Sequence, residues 1–464
     1  MLTTPGITFN RWLVVAGALL IQASLGAIYI YSVFKPALKS HFPAWSATDL
    51  ALPSQIVLAF FALSMIVSGR IQDKAGPKIT ATWGAVFLGV GMLIAAKATT
   101  LGQFVFGFGV LGGIGIGAAY VCPIATCIKW FPDKRGFITG LAVAGFGAGG
   151  LIFTPLANYF ISANGIMDTF AYLGLIFFFA IMAGSRVMAN PPADYCPAGW
   201  TPKATNANTS SVKEFTPQEM LRTREFWILW ATYFSGCTAG LLVIMNITNI
   251  WQSISAAGFP NLWAMIPGEV ISGIMTAGVT AVIAVSIFNS LGRIIWGKAS
   301  DSIGREKTLA VIFVLCALAM FSLNSFSTYP LFMAAVATVG FCFGGFLALY
   351  PALTADRFGV KNVGANYGLM FTAYGAGGLF GPWLAPKLIK DVHTWTYQAI
   401  DKSGAILSKS LEIGSYSDSF LIAGILCLIS FFLLFWLKKL RKDKKQRKRQ
   451  KKNGLIRSLI FILF

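Results

Sequence analysis

Apolar residues come in unbroken runs of about twenty, separated by short polar loops. A hydrocarbon core about 30 Å thick takes about 20 helical residues to cross, so each run predicts a transmembrane helix. The runs fall at 12–34, 51–69, 79–97, 101–128, 136–161 and 169–189, then at 225–251, 271–296, 308–326, 329–355, 364–386 and 419–437. The first is too long for the core of a signal peptide and has no small-residue cleavage site, so it reads as a retained span. The expected fold is all-α: a polytopic membrane protein of twelve helices. A polar segment interrupts the pattern once. The chain therefore divides into a six-helix half at 1–189, a linker at 190–222, a second six-helix half at 223–437 and a basic tail at 438–464.

The halves repeat each other at an offset of 228 residues. Gly69, Asp73 and Gly76 match Gly297, Asp301 and Gly304. Gly136 and Gly140 match Gly364 and Gly368, and the run GAGGL at 147–151 recurs at 375–379. Two similar halves with a site at their interface is an architecture of carriers.

Within the eighth run, the stretch 284–301 (AVSIFNSLGRIIWGKASD) holds one buried-looking cation, Arg293. Asn289 and Ser286 precede it at i−4 and i−7, so a narrow polar stripe ends in the arginine. In a helix Arg293 stands about 12 Å from Asp301, inside the hydrocarbon layer. A cation there is costly and marks a site for an anion. The alternative is a side chain that snorkels to the surface. At the 228-residue offset Arg293 projects onto Met65, so the cation belongs to one half only.

Composition agrees with a membrane protein: 56% hydrophobic and 12% charged. A water-soluble domain carries about twice that charge. The net charge of +20 is no nucleic-acid signal, because eleven bases lie in the tail between Lys438 and Lys452. That tail is expected to fix topology and to touch anionic lipid, and the apolar end at 455–464 to lie on the interface. Sixteen lysines and arginines sit in loops after even-numbered spans and seven in the opposite loops, which puts both termini in the cytoplasm. Six of the seven cysteines fall in apolar runs, and both histidines, His41 and His393, fall in loops. No metal or cofactor is expected, and no enzyme, since the spans hold no nucleophile triad or paired carboxylates. Gly107, Gly109 and Gly112 match a dinucleotide fingerprint, but they lie inside a span with no strand before them.

The loops GRIQDKAGPK at 69–78 and GKASDSIGR at 297–305 carry a further signal. A loop of the form G-x3-D-x2-G-x-[KR] after spans two and eight resembles the hallmark of the major facilitator superfamily. The second copy has its base one place early, at Arg305. Gly69, Asp73, Gly76, Gly297, Asp301, Gly304 and Arg305 are accordingly expected to form gating loops. WFPDKRG at 130–136 and GLAVAG at 140–145 resemble the fifth-span signature of monocarboxylate transporters and of the bacterial oxalate/formate antiporter family. NPPADYCPAGWTP in the linker and MLRTREFW at 220–227 are similar to the latter.

The resemblance implies that Arg293 binds a substrate carboxylate. Animal-type monocarboxylate transporters carry an aspartate one turn before that arginine, where this chain has Asn289. Oxalate-exchanging members carry a lysine in the eleventh span after Asn-Tyr-Gly. Here Asn366, Tyr367 and Gly368 are present, but the lysine position is Tyr374. One cation rather than two favours a substrate with one negative charge, because a second carboxylate would stay unpaired. Tyr29, Tyr120, Tyr350 and Tyr374 are expected to help hold the substrate, with Phe146 as an apolar wall and Asn246 and Asn249 as weaker candidates.

The expectation is an alternating-access carrier of small monocarboxylates (lactate, pyruvate or formate) in a bacterial inner membrane, coupled to protons. An oxalate/formate-type exchanger and a non-transporting carboxylate sensor of the same fold are the alternatives.

Overall fold

The computed structural model describes residues 10–192, 195–197, 214–257, 268–323, 325, 328–400 and 406–439. Its helices are α1 (Arg11–Leu25), α2 (Tyr31–His41), α3 (Ala47–Ala75), α4 (Pro77–Ala96), α5 (Leu101–Phe104), α6 (Gly112–Trp130), α7 (Arg135–Asn164) and α8 (Ile166–Arg186) in the first half. The linker holds α9 (Pro217–Leu221), and the second half holds α10 (Arg224–Ala257), α11 (Gly268–Ile303), α12 (Arg305–Ser322), α13 (Tyr329–Phe358), α14 (Val363–Lys387) and α15 (Ser417–Lys439). Ten of these segments are long and apolar enough to cross a membrane. α12 and α14 complete the twelve. The first turn of α12 carries Arg305, Glu306 and Lys307, and α14 is rich in glycine, which lowers the hydropathy of both.

The first span departs from a single straight helix. Between α1 and α2 the backbone tightens into a 3-10 turn at Gly26–Ile30. Gly26 packs on the Phe146 backbone, where a Cβ would collide. Tyr29 is carried by this turn, and a mid-span 3-10 stretch is a common place for a hinge. The fourth span carries π-helical backbone at Val105–Leu111 between α5 and α6, across the glycines that mimic a dinucleotide loop. The segment between the eleventh and twelfth runs, expected to hold His393 in a loop, is an antiparallel hairpin, β1 (Lys390–Ile400) paired with β2 (Ile406–Ser415), Trp395 opposite Leu411. Its period-2 pattern is too mixed with charge to stand out in the sequence.

Polarity is arranged as a bilayer demands. Large apolar side chains such as Val67, Phe179, Leu318 and Phe432 face outward. Gln22, Gln72, Asn289, Arg293 and Asn366 are buried inside the bundle. The halves meet along two helix pairs related by the repeat: α7 lies along α11, and α14 lies along α3.

The linker is pinned at both of its described ends. Tyr195 packs edge-on to Trp130 at 4.7 Å. The Glu214 carboxylate accepts from Lys361 N at 2.8 Å, and Phe215 O accepts from Asn362 and Asn366. The tail beyond Lys439 lies outside the described residues, as do its expected lipid contact and the final apolar segment.

Candidate functional site

Glycines set how closely the halves approach. A Cβ on Gly140 of α7 would meet the Arg293 carbonyl of α11, and a Cβ on Gly368 of α14 would meet the Met65 carbonyl of α3. These two contacts are each other's image at the 228-residue offset. Gly136 abuts Gly297, and Gly364 abuts Gly69, by the same relation. Close backbone approach here fixes the side chain that leaves α11 at Arg293.

Arg293 is 0% exposed. Its Nε donates to Asn289 Oδ1 at 3.1 Å and its Nη1 to Val143 O of α7 at 2.5 Å. The guanidinium carbon lies 5.6 Å from the Phe146 ring centroid, a cation–π arrangement. Nη2 has no hydrogen-bond partner among the described residues, and no carboxylate pairs with the group among them. The snorkelling alternative fails, because the side chain stays inside and reaches across to the other half. A buried guanidinium with neutral partners and one free N–H edge suits a single anionic oxygen pair.

Aromatic rings enclose this point. Phe146 is edge-on to Tyr29 and to Tyr120, each at 5.2 Å. Phe61 and Phe371 complete the layer: Phe61 lies 5.0 Å from Tyr120, and Phe371 stacks on Tyr374 at 4.5 Å. The hydroxyls of Tyr29 and Tyr374 meet at 3.4 Å and so join the two halves. Tyr350 points elsewhere. Its hydroxyl donates to Thr232 Oγ1 at 2.7 Å, within the second half. Asn246 is occupied by the Leu242 carbonyl of its own helix, and Asn249 is exposed beside Tyr416. Phe61, Phe371, Tyr233 and Tyr367 do not stand out as site residues in the sequence. Phe61 carries one usable signal, since it stands at the repeat position of Asn289.

The loop residues form two matching clasps at one end of the bundle. Asp301 accepts from Gly136 N at 2.9 Å and Phe137 N at 2.8 Å. Asp73 accepts from Gly364 N at 3.1 Å and Ala365 N at 2.8 Å. These are the first turns of α7 and α14, whose own N-cap residues, Lys134 and Asn362, make no side-chain cap. Each helix is therefore capped by a carboxylate from the opposite half, where orphan N–H groups and the helix dipole favour an anion. Arg305 holds Asp301 at 2.7 Å and Asp356 at 3.1 Å, and Arg135 of the other half also reaches Asp356 at 2.7 Å. Lys129 lies 3.6 Å from Asp73. Gly76 and Gly304 have φ of 91° and 94° with open space around them. Their backbone conformation, not crowding, requires glycine.

Two pseudo-symmetric helical halves, clasped at one end and packed along repeat-related helix pairs, are the architecture of a membrane transporter. The chain belongs to the Major Facilitator Superfamily, which it matches over residues 7–288 and again over 250–464. It is a multi-pass transporter, not an enzyme. It is 29% identical to the oxalate:formate antiporter of Oxalobacter formigenes over 83% of this chain and 86% of that one. It is 28% identical to the uncharacterized MFS-type transporter YhjX of Escherichia coli over 80% and 86%. Apicoplast pyruvate carrier 1 of Toxoplasma gondii is 26% identical over 78% and 73%. Among solved structures, the proton:xylose symporter XylE bound to a deoxyglucose matches with a TM-score of 0.63, covering 92% of this chain and 95% of that one at 12% identity.

Proposed function

We propose that this protein is a secondary active carrier of small monocarboxylates, in which Arg293 binds the carboxylate and the two halves rock around it. The observation that carries the reading is the free Nη2 edge of a fully buried guanidinium that, among the described residues, has no acid beside it. Relatives named for oxalate, formate and pyruvate support the substrate class. The clasped end is the cytoplasmic one by its excess of lysine and arginine, both termini lie on that side, and the membrane is the bacterial inner membrane.

An anion entering against the membrane potential needs a compensating charge. In proton-coupled uptake a proton enters with it; in exchange another anion leaves. The neutral Asn289 one turn from Arg293 favours exchange as a second reading, since exchange requires no titratable partner there. Counterflow in proteoliposomes with lactate, pyruvate, formate and oxalate tests the proposal. Binding without any flux would leave a sensor rather than a carrier. Absence of competition by all four acids would overturn the carboxylate reading.

Two variants probe the arrangement further. Tyr374→Lys would add a second cation beside Tyr29 and the Phe371 ring. It is expected to let oxalate compete at least about tenfold better, since a dianion would then find a partner for its second charge. Unchanged oxalate competition would argue against Tyr374 as a cavity residue. Gly140→Val would drive side-chain carbons into the Arg293 carbonyl. Flux is expected to fall by at least about tenfold while the protein still purifies as a monodisperse species, because the clash lies between halves and not within one. Wild-type flux would contradict the close approach.

A further inference from the structure

A cavity of about 720 Å³ lies away from Arg293, between α12, α13 and α15 at the clasped end of the bundle. It follows from how these helices pack. Toward the opposite end, Gly424 of α15 lies so close to the Phe321 ring of α12 that a Cβ would collide. Two turns nearer the clasps, α15 carries Phe431, Leu434 and Phe435, and a gap opens there against Val311, Val314 and Leu315 of α12. From Lys307 to Leu315 the groove runs about 12 Å along α12. Val311 and Phe435 are exposed, so its outer side faces the hydrocarbon of the bilayer.

Charged groups line the groove only where it reaches the clasped end. They are Arg305, Lys307, Arg357 and Lys438 against Glu306 and Asp356, four bases against two acids. Both acids are taken: Asp356 holds Arg305 and Arg135, and Glu306 pairs with Arg357. Lys307 and Lys438 are exposed and make no ion pair among the described residues. At the 228-residue offset Lys307 projects onto Ile79, so this base is no part of the clasp that the two halves share. The groove therefore joins an apolar wall at hydrocarbon depth to two unbalanced ammonium groups at the membrane surface.

We propose that this groove binds an anionic phospholipid, with the phosphate on Lys307 and Lys438 and one acyl chain along Val311, Val314 and Leu315. Basic pockets between transmembrane helices take anionic headgroups, and each lysine near the surface adds to the attraction. A free phosphate ion would match the two lysines and leave the apolar wall without a partner. A zwitterionic headgroup brings its own ammonium, and both acids that could receive it are already occupied. The charge balance thus selects a net negative lipid. The site shares no residue with the carboxylate site at Arg293, so it stands whatever the carrier's substrate.

The test uses the full-length protein in detergent micelles with phosphatidylglycerol that carries a photoactivatable diazirine in one acyl chain. Labelled residues are mapped by peptide mass spectrometry. Label is expected within 311–315 and 431–435. Plain phosphatidylglycerol is expected to suppress that labelling at least about tenfold better than phosphatidylcholine. Lys307→Gln combined with Lys438→Gln should remove this preference. Val314→Trp fills the groove without touching a charge and should remove the labelling itself. Both variants keep the basic tail, so labelling confined to the chain beyond Lys439 would overturn the site. Equal competition by the two lipids would overturn it too, as would a preference and labelling that survive in both variants. A groove that takes no label is filled by something else, the chain's own apolar end or a second copy, and that result also overturns the proposal.

Discussion

Replacing Arg293 with alanine is expected to abolish carboxylate transport while leaving the protein folded. The variant removes a side chain that reaches from α11 to the Val143 carbonyl of α7 and offers a free N–H edge. Truncating one partner of a buried, hydrogen-bonded charge pair costs about 2–5 kcal/mol, so substrate affinity should fall by at least about 30-fold. Stability should move differently. Among the described residues the guanidinium is a buried charge whose hydrogen-bond partners are neutral. Removing such a charge is neutral or stabilising where the surroundings can close. Thermal unfolding in detergent is thus expected to show an unchanged or higher midpoint for Arg293→Ala, and a smaller shift on adding pyruvate than the wild type gives. Arg293→Lys keeps the charge but loses the planar fork, and should bind weakly rather than not at all. Wild-type uptake by the alanine variant would refute the mechanism.

The second large effect is expected at the clasps. Asp73→Asn and Asp301→Asn each replace a carboxylate that accepts two backbone N–H groups from the opposite half. A hydrogen bond to a charged group contributes about 1.5–3 kcal/mol, and an amide oxygen retains part of it. Allowing for partial exposure, each substitution should weaken the clasped arrangement by about 1–2 kcal/mol, and the double variant should shift the equilibrium by at least about tenfold. Spin labels at Lys78→Cys and Lys307→Cys, in a Cys196→Ala background, would report the opening as a longer distance. The two single variants should change the distance in the same direction, because their backbone contacts are related by the repeat. A distance distribution unchanged in the double variant would show that the clasps do not set the equilibrium.

Much of this arrangement is legible in the sequence because it is written twice. The offset that pairs Gly140 with Gly368 and Arg293 with Met65 also pairs their contacts, so a one-dimensional repeat carries three-dimensional content. The same holds for Asp73 and Asp301. Arg293 stands out because a cation in a hydrocarbon layer is expensive wherever its partners are. Helix rotation is not legible. Whether a tyrosine in a span faces the cavity depends on packing on all its sides, and Tyr350 turns to Thr232 while Tyr374 meets Tyr29. The break at Gly26–Ile30 is hidden for a related reason. Glycine at position 26 answers to the Phe146 backbone of another helix, and nothing in the local sequence names that neighbour.

The crossed caps on α7 and α14 also make the carrier's two faces unequal to a solute. A ligand arriving from the clasped face can bind only the fraction of molecules in which those caps have let go. Its apparent dissociation constant is the intrinsic one divided by that fraction. Every 1.4 kcal/mol held in the clasps raises the apparent constant at that face about tenfold and leaves the chemistry at Arg293 untouched. Half-saturation measured from opposite sides of one membrane should therefore differ, and the difference should shrink as the aspartates are neutralised.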